Sequence, residues 1–319
     1  MKCYVLLVRI MILVSLASFG PFTAIAQDHQ SQREVVNSGT VGIMSGAIGG
    51  TDLRIAADLA NAFDDGYDLR VLAIVGKGSV RDIEDLVYLR GIDVAIVQSD
   101  VLDFYKQHDL IKNIDDHVHY IAKLYDEEVH LLARKDIASV GDLAGKRVNF
   151  GPSDGGTYMT SGILFDRFDV EVDVAEYNHT EALQKLKAGE IDAMIMIEGK
   201  PVDLFETLAA EDGLHLVPLA AERVGGSYYG VPLSSADYPG LIAEGTIETI
   251  GVGEVLAAYK WPDGHAREVK LTRFVDQLFN DFDKLQSDPY HPKWRDVDLR
   301  ADLPGWQRLP SARRWLNGS

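Results

Sequence analysis

From residue 40 onward the chain alternates between two hydrophobic periods, and this alternation limits the fold more than any other feature. Short β-branched runs recur at 41–44, 69–75 and 94–97. Between them, apolar residues fall three and four positions apart. Ile55, Ala56, Leu59, Ala60 and Phe63 mark one helix face, and Ile83, Leu86 and Val87 mark another. Val94-Ala95-Ile96-Val97 is apolar throughout, as expected of a strand covered on both faces. The pattern predicts an α/β fold.

The alternation then repeats. Strands are predicted over 119–124, 129–133, 147–150, 172–175, 193–197 and 214–217, with a helix over 157–168. Thr180 is placed to cap a further helix running to Lys187, and Gly189 to end it. After Gly226 the chain is loop-rich, and 247–257 follows as mixed strand. Val275, Leu278, Phe282 and Leu285 share one face of a late amphipathic helix. Two successive α/β units and a returning segment predict two lobes. The first comprises 40–133 plus 220–319 and the second 134–219. Strand hinges are expected near Leu131 and Leu216, since no Pro- or Ser-rich linker separates the lobes.

The ends and the composition point to an exported chain. Lys2 and Arg9 precede an apolar run over 10–17, and Ala24-Ile25-Ala26 is a small-x-small cleavage pattern. The run is shorter than the roughly 20 residues a spanning helix needs. A signal peptide over 1–26 is therefore expected, with Gln27 as the first mature residue and a polar, mobile leader over 27–39. Cys3 is the only cysteine and would leave with the signal peptide. The mature chain then relies on its core alone, without disulfides or a thiol nucleophile. The formal net charge of −18 opposes nucleic acid or anionic lipid as partners. It permits an anionic ligand held by a few local positive groups.

Three glycine turns each stand between a predicted strand and helix. They are Ser45-Gly46-Ala47-Ile48-Gly49-Gly50-Thr51, Gly76-Lys77-Gly78-Ser79 and Gly151-Pro152-Ser153-Asp154-Gly155-Gly156-Thr157. Glycine admits close backbone approach, and the helix that follows offers free N–H groups and a positive dipole end, which suits a carboxylate. Ser45, Gly50, Thr51, Gly78, Ser79, Gly155, Gly156 and Thr157 are thus ligand-binding candidates. Lys77 and Lys200 are candidate countercharges. Simpler roles compete: Ser79 with Asp82 forms a capping-box variant, Thr51 and Thr157 could be caps, and either lysine could be a solvated surface residue. No phosphate-loop or dinucleotide pattern is present, so no cofactor is expected.

Several segments in order are similar to the TAXI family of TRAP-transporter solute receptors. They are Gly49-Gly50-Thr51, Gly78-Ser79, the run Ile92-Asp93 through Gln98-Ser99-Asp100, and Glu127-Glu128-Val129-His130. Asp142-Leu143-Ala144-Gly145-Lys146-Arg147-Val148 and Ala188-Gly189-Glu190-Ile191-Asp192-Ala193 extend the resemblance to about residue 219. Tyr290-His291-Pro292-Lys293-Trp294 and Pro304-Gly305-Trp306 resemble one branch of that family. The resemblance implies a type II-like periplasmic binding protein fold. It also implies a periplasmic receptor, expected to be a monomer, that closes on a small organic anion or amino acid such as glutamate and delivers it to a TRAP-type permease. Carried over by position, Thr51, Ser79, Gln98, Gly156 and Thr157 face the ligand. The family's first turn is commonly followed by tyrosine, whereas Asp52 and Leu53 follow Thr51 here. A periplasmic sensor that presents the bound form to a signalling membrane protein is the alternative.

Other signals are weaker. Asp115, Asp116, His117 and His119 have metal-like composition, but a polar start to a strand explains them, and no metal site is expected. Gly151-Pro152-Ser153-Asp154-Gly155 spells GxSxG, and His179 and His215 follow, but nothing ties either histidine to Ser153. Glu127 and Glu128 are adjacent and should face opposite sides of a strand. No catalytic residue is expected. His291 is expected to pack in a tail wrapping the first lobe.

Overall fold

The structure is a computed structural model describing Val35 and residues 37–318. The expected signal peptide lies outside the described residues, as does most of the expected leader. β1 (Thr40–Ser45), α1 (Thr51–Phe63), β2 (Arg70–Val75), α2 (Ser79–Tyr88) and β3 (Val94–Gln98) follow the predicted alternation. α1 turns Ile55, Ala56, Leu59 and Phe63 inward, and α2 buries Ile83 and Leu86. β3 is buried at every residue because it lies mid-sheet with an apolar cluster on each face. Burial of each such leucine or isoleucine side chain contributes about 1.5–3 kcal/mol. Two short helices, α3 (Val101–Gln107) and α4 (Ile114–His117), lead to the next strand.

That strand corrects the prediction. The two strands expected over 119–124 and 129–133 are one, β4 (Val118–Arg134). Asp126-Glu127-Glu128 reads as a polar break, yet each carboxylate has a donor that lets the ladder continue. Lys123 Nζ lies 2.6 Å from Asp126, Gln98 Nε2 2.9 Å from Glu127, and Lys293 Nζ 3.0 Å from Glu128. β10 (Thr246–Tyr259) runs antiparallel beside β4, with an irregularity between Gly253 and Val255.

The second unit contains β5 (Arg147–Asn149), α5 (Gly156–Phe168), β6 (Asp173–Ala175), α6 (His179–Ala188), β7 (Ala193–Glu198), α7 (Asp203–Glu206) and β8 (Leu214–Leu216). Asn178, not Thr180, caps α6: its side chain accepts the Glu181 N–H. Gly189 ends that helix in the left-handed region, as expected, with φ 72°. The region expected to be loop after Gly226 contains β9 (Tyr229–Ser234), paired with β10. Its exposed Gly230 and Pro232 suit an edge strand and conceal it from a pattern reading.

The sheet order is β2-β1-β3-β10-β4-β7-β5-β6. β2, β1 and β3 are parallel, as are β7, β5 and β6, and antiparallel β10 and β4 join the two sets. Ile121, Leu124 and Tyr125 of β4 enter one core, and Val129, Leu131 and Ala133 enter another. β10 divides likewise, with Leu256 and Ala258 in the first and Ile250 and Val252 in the second. The chain is thus α/β and two-lobed, with strands passing between the lobes. Leu131 lies on β4 but already within the second core, and Leu216 lies on β8, which pairs only with β4; the second passing strand is β10.

The chain then returns to the first lobe. α8 (Ala266–Asn280) ends earlier than the apolar stripe suggests, so Phe282 sits on a following 3-10 turn with Leu285 beyond it. Both still join Val275 and Leu278 in one core. Trp294 is fully buried there, and its Nε1 donates to Asp58 of α1 at 2.9 Å. The His291 N–H also donates to Asp58, so the tail does wrap the first lobe. α9 (Pro310–Leu316) packs on α8.

Candidate functional site

The glycine turns start three helices without side-chain caps. α1, α2 and α5 begin after Gly50, Gly78 and Gly155, and none of these N-termini carries a side-chain capping bond. The capping roles considered for Thr51, Ser79 and Thr157 are therefore not taken up. Ser79 Oγ instead accepts the Gln98 N–H at 2.9 Å, and Thr157 Oγ1 accepts the Ile197 N–H at 3.4 Å. Asp82 accepts the Lys77 N–H, and burial pushes its carboxyl up to about 7.

A cavity of about 380 Å³ lies between the lobes. Lys77, Gly78, Ser79 and Gln98 line it from the first lobe, and Gly155, Gly156 and Thr157 from the second. Asn178, His179 and Thr180, at the start of α6, also reach it. Three helix N-termini, those of α2, α5 and α6, thus border one space. Gly50 and Thr51 line a neighbouring cavity of about 450 Å³, which shares Ala47, Ile48 and Glu198 with the first. Two candidates fall outside. Ser45 is buried with its hydroxyl donating to the Ile74 carbonyl, and the Lys200 ammonium is held by the Pro232 carbonyl and by Asp237.

The two glycine turns that face each other are in contact. A Cβ on Gly78, where φ is 123°, would stand 2.8 Å from Gly156 N and 2.9 Å from Gly155 Cα. Deeper in, Thr160 Oγ1 donates to Asp100 at 2.7 Å, and the Tyr228 hydroxyl donates to the same oxygen at 2.6 Å. Arg54 and Asp203 pair across the outer edge at 2.7 Å. The lobes are therefore closed on each other.

The cavity's other wall is acidic. Asp52, Glu127 and Glu198 line it. Asp52 accepts the Tyr125 hydroxyl at 2.5 Å and Glu127 the Gln98 amide at 2.9 Å, while Glu198 accepts the Thr51 N–H at 3.2 Å. Glu254 of β10 is fully buried; neither of its carboxylate oxygens receives an N–H or hydroxyl donor, and its side-chain neighbour is the Glu127 carboxyl. Carboxylate oxygens of Asp52, Glu127 and Glu254 all lie within 4.8 Å of one another. Burial, then the Glu198 charge, pushes Asp52 up to about 7. Burial likewise brings Glu198 to about 7, and burial followed by the Asp52 charge holds Glu127 and Glu254 well above the usual range. His179 is kept neutral by burial, pushed down to about 4.

The weaker sequence signals do not converge. His119 is buried in β4 with both ring nitrogens unpartnered, whereas His117 stacks on Tyr259. Ser153 is exposed and borders a separate surface groove with Asp154. Glu127 and Glu128 do face opposite sides, one toward Asp52 and Glu254 and the other toward Lys293.

Residues 43–293, which include all three glycine turns and every acid of the cleft, match the NMT1-like family. The chain belongs to the NMT1-like family. Among solved structures, this NMT1-like chain is similar to the periplasmic binding protein BugD, at 13% identity and a TM-score of 0.50, over 87% of this chain and 92% of that one. It also matches XAC2383 from Xanthomonas citri bound to ATP, at 12% identity and a TM-score of 0.49, over 87% and 94%. A TctC solute-binding protein from Polaromonas matches at 16% and 0.45, over 77% and 87%. The likeness to BugD supports the two-lobed fold derived from the strands. No helix among the described residues is long and apolar enough to cross a membrane.

Sequence reasoning missed the acidic wall. One signal was available: Glu254 stands alone in the apolar run from Ile250 to Ala258, where an unpaired carboxylate is costly. A second was Asp52, a carboxylate directly after the first glycine turn.

Proposed function

We propose that this chain is an extracytoplasmic solute-binding receptor of the TAXI type, exported to the periplasm. Its lobes, 40–133 plus 220–319 and 134–219, close on a small organic anion or amino acid and present it to a TRAP-type permease. One observation carries this reading: the helix N-termini of α2, α5 and α6, from both lobes, border a single cavity large enough for such a solute. Uncapped N–H groups at the start of α2 and α5 favour a carboxylate, and α6, capped by Asn178, adds its dipole. Ser79, Gln98, Gly156 and Thr157 supply the close polar contacts, and Lys77 stands at the rim paired with Asp154. Bending of β4 and β10 opens and closes the cleft.

The reading is tested by isothermal titration of the full chain with L-glutamate and with succinate. Ser79→Ala and Thr157→Ala should each weaken binding roughly tenfold, about 1.4 kcal/mol, and Ser79→Ala, which leaves the buried Gln98 N–H without its acceptor, should also lower the melting temperature. Unchanged affinity in both variants would return these residues to a purely structural role.

A further inference from the structure

The cleft has a charge problem that its helix N-termini do not solve. Asp52, Glu127 and Glu198 line the cavity, and Glu254 lies with them in the cluster but forms no part of the cavity wall. The opposing cations are engaged elsewhere. Among the described residues lining the cavity, Lys77 is the one lysine or arginine, and it pairs with Asp154 at 3.1 Å. Lys200 turns to Asp237, and Lys293 serves Glu128 on the other face of β4. Tyr125 and Gln98 each satisfy one oxygen of Asp52 and Glu127, whereas Glu254 is fully buried, receives no N–H or hydroxyl donor, and has only the Glu127 carboxyl beside it. A buried carboxylate in this state calls for a cation or a proton.

We propose that Asp52, Glu127 and Glu254 together hold a hard divalent cation at the floor of the cleft. Their oxygens lie within 4.8 Å of one another, a span that one ion can bridge at the usual oxygen distances of about 2.0–2.6 Å. An all-carboxylate donor set selects magnesium, calcium or manganese over softer metals. A divalent ion balances two of the three charges, where an ammonium balances one. Glu254 is set behind the cavity wall, where a bare ion fits more readily than a solute's head group. On its open side the ion faces the cavity, so a solute carboxylate can complete its coordination. An acidic cleft then becomes an anion site. The ion's part in solute capture rests on the receptor reading; the ion site stands on the carboxylates alone.

The test uses the full chain, stripped with EDTA and titrated with CaCl2, MgCl2 or MnCl2 in the absence of solute. Native mass spectrometry should show one ion per chain, and the melting temperature should rise by several degrees. Asp52→Asn and Glu254→Gln should weaken ion binding at least tenfold. Both variants should unfold no earlier than the stripped wild type, because each removes an uncompensated charge, and this separates a lost site from a lost fold. No response to any of the three salts overturns the proposal. So does stabilisation produced only by lowering the pH, which assigns protons to the cluster, or only by putrescine, which assigns an ammonium. If the ion binds but L-glutamate and succinate do not, the receptor reading fails and the ion site stands. If those solutes bind an EDTA-treated chain that shows no metal response, the receptor stands and the ion site falls.

Discussion

His130 shows what a single buried polar group does to this fold. It sits on β4 with Nε2 2.7 Å from the Tyr238 hydroxyl, while Phe205 packs edge-on to its ring. Burial pushes its pKa down to about 4, and the nearby Lys200 and Lys293 add to the effect. The unfolded chain takes up a proton below about pH 6.5, whereas the folded chain does so only near pH 4. His130 therefore costs stability as the pH falls through that window, on the order of 2–3 kcal/mol by pH 4.5. Urea unfolding of His130→Gln should show its penalty relative to wild type shrinking by that amount between pH 7.5 and 4.5. A constant difference would contradict the buried neutral imidazole. At this scale the sequence was partly legible. Ser79, Gln98 and Thr157 line the cavity, and the opposed faces of Glu127 and Glu128 followed from strand geometry. The acidic cluster was not legible, because Asp52, Glu127 and Glu254 come from three elements that only the sheet order brings together. Lys200 was misjudged because Asp237, its partner, lies far along the chain.

At the scale of elements, the glycine turns have a second use beyond admitting a ligand. Gly78 meets Gly155 and Gly156 backbone to backbone, so its missing side chain makes room for the other lobe. Gly78→Ala should therefore leave each lobe folded but keep the cleft from closing. Small-angle scattering of this variant with saturating L-glutamate should give the radius of gyration of the solute-free protein, whereas the wild type should contract. Equal contraction in both would show that the turns do not gate closure. Strong periodicity made β1 to β3, α1, α2, α5 and α6 readable from sequence. β4 was divided in error because its charged middle is held by donors from Lys123, Gln98 and Lys293, and the last two are partners that local pattern cannot supply. β9 was missed because Gly230 and Pro232 mark it as loop, a mark that an edge strand can carry.

For the whole molecule, apolar clusters cover both faces of one sheet in each half, and the tail returns to the first half. The return was legible from the late amphipathic helix, and Trp294 anchors it. The cleft's sign was not legible. A formal net charge of −18 spread over the chain says nothing about which acids gather between the lobes. Helix N-termini on one wall and carboxylates on the other suit a solute carboxylate bridged by a cation. The most direct measurement is native mass spectrometry of the chain after gentle purification in calcium-containing buffer. The account predicts one small organic acid or amino acid per chain, released on denaturation. A chain that is always empty, and that neither dicarboxylates nor amino acids stabilise against heat in the same buffer, would contradict it.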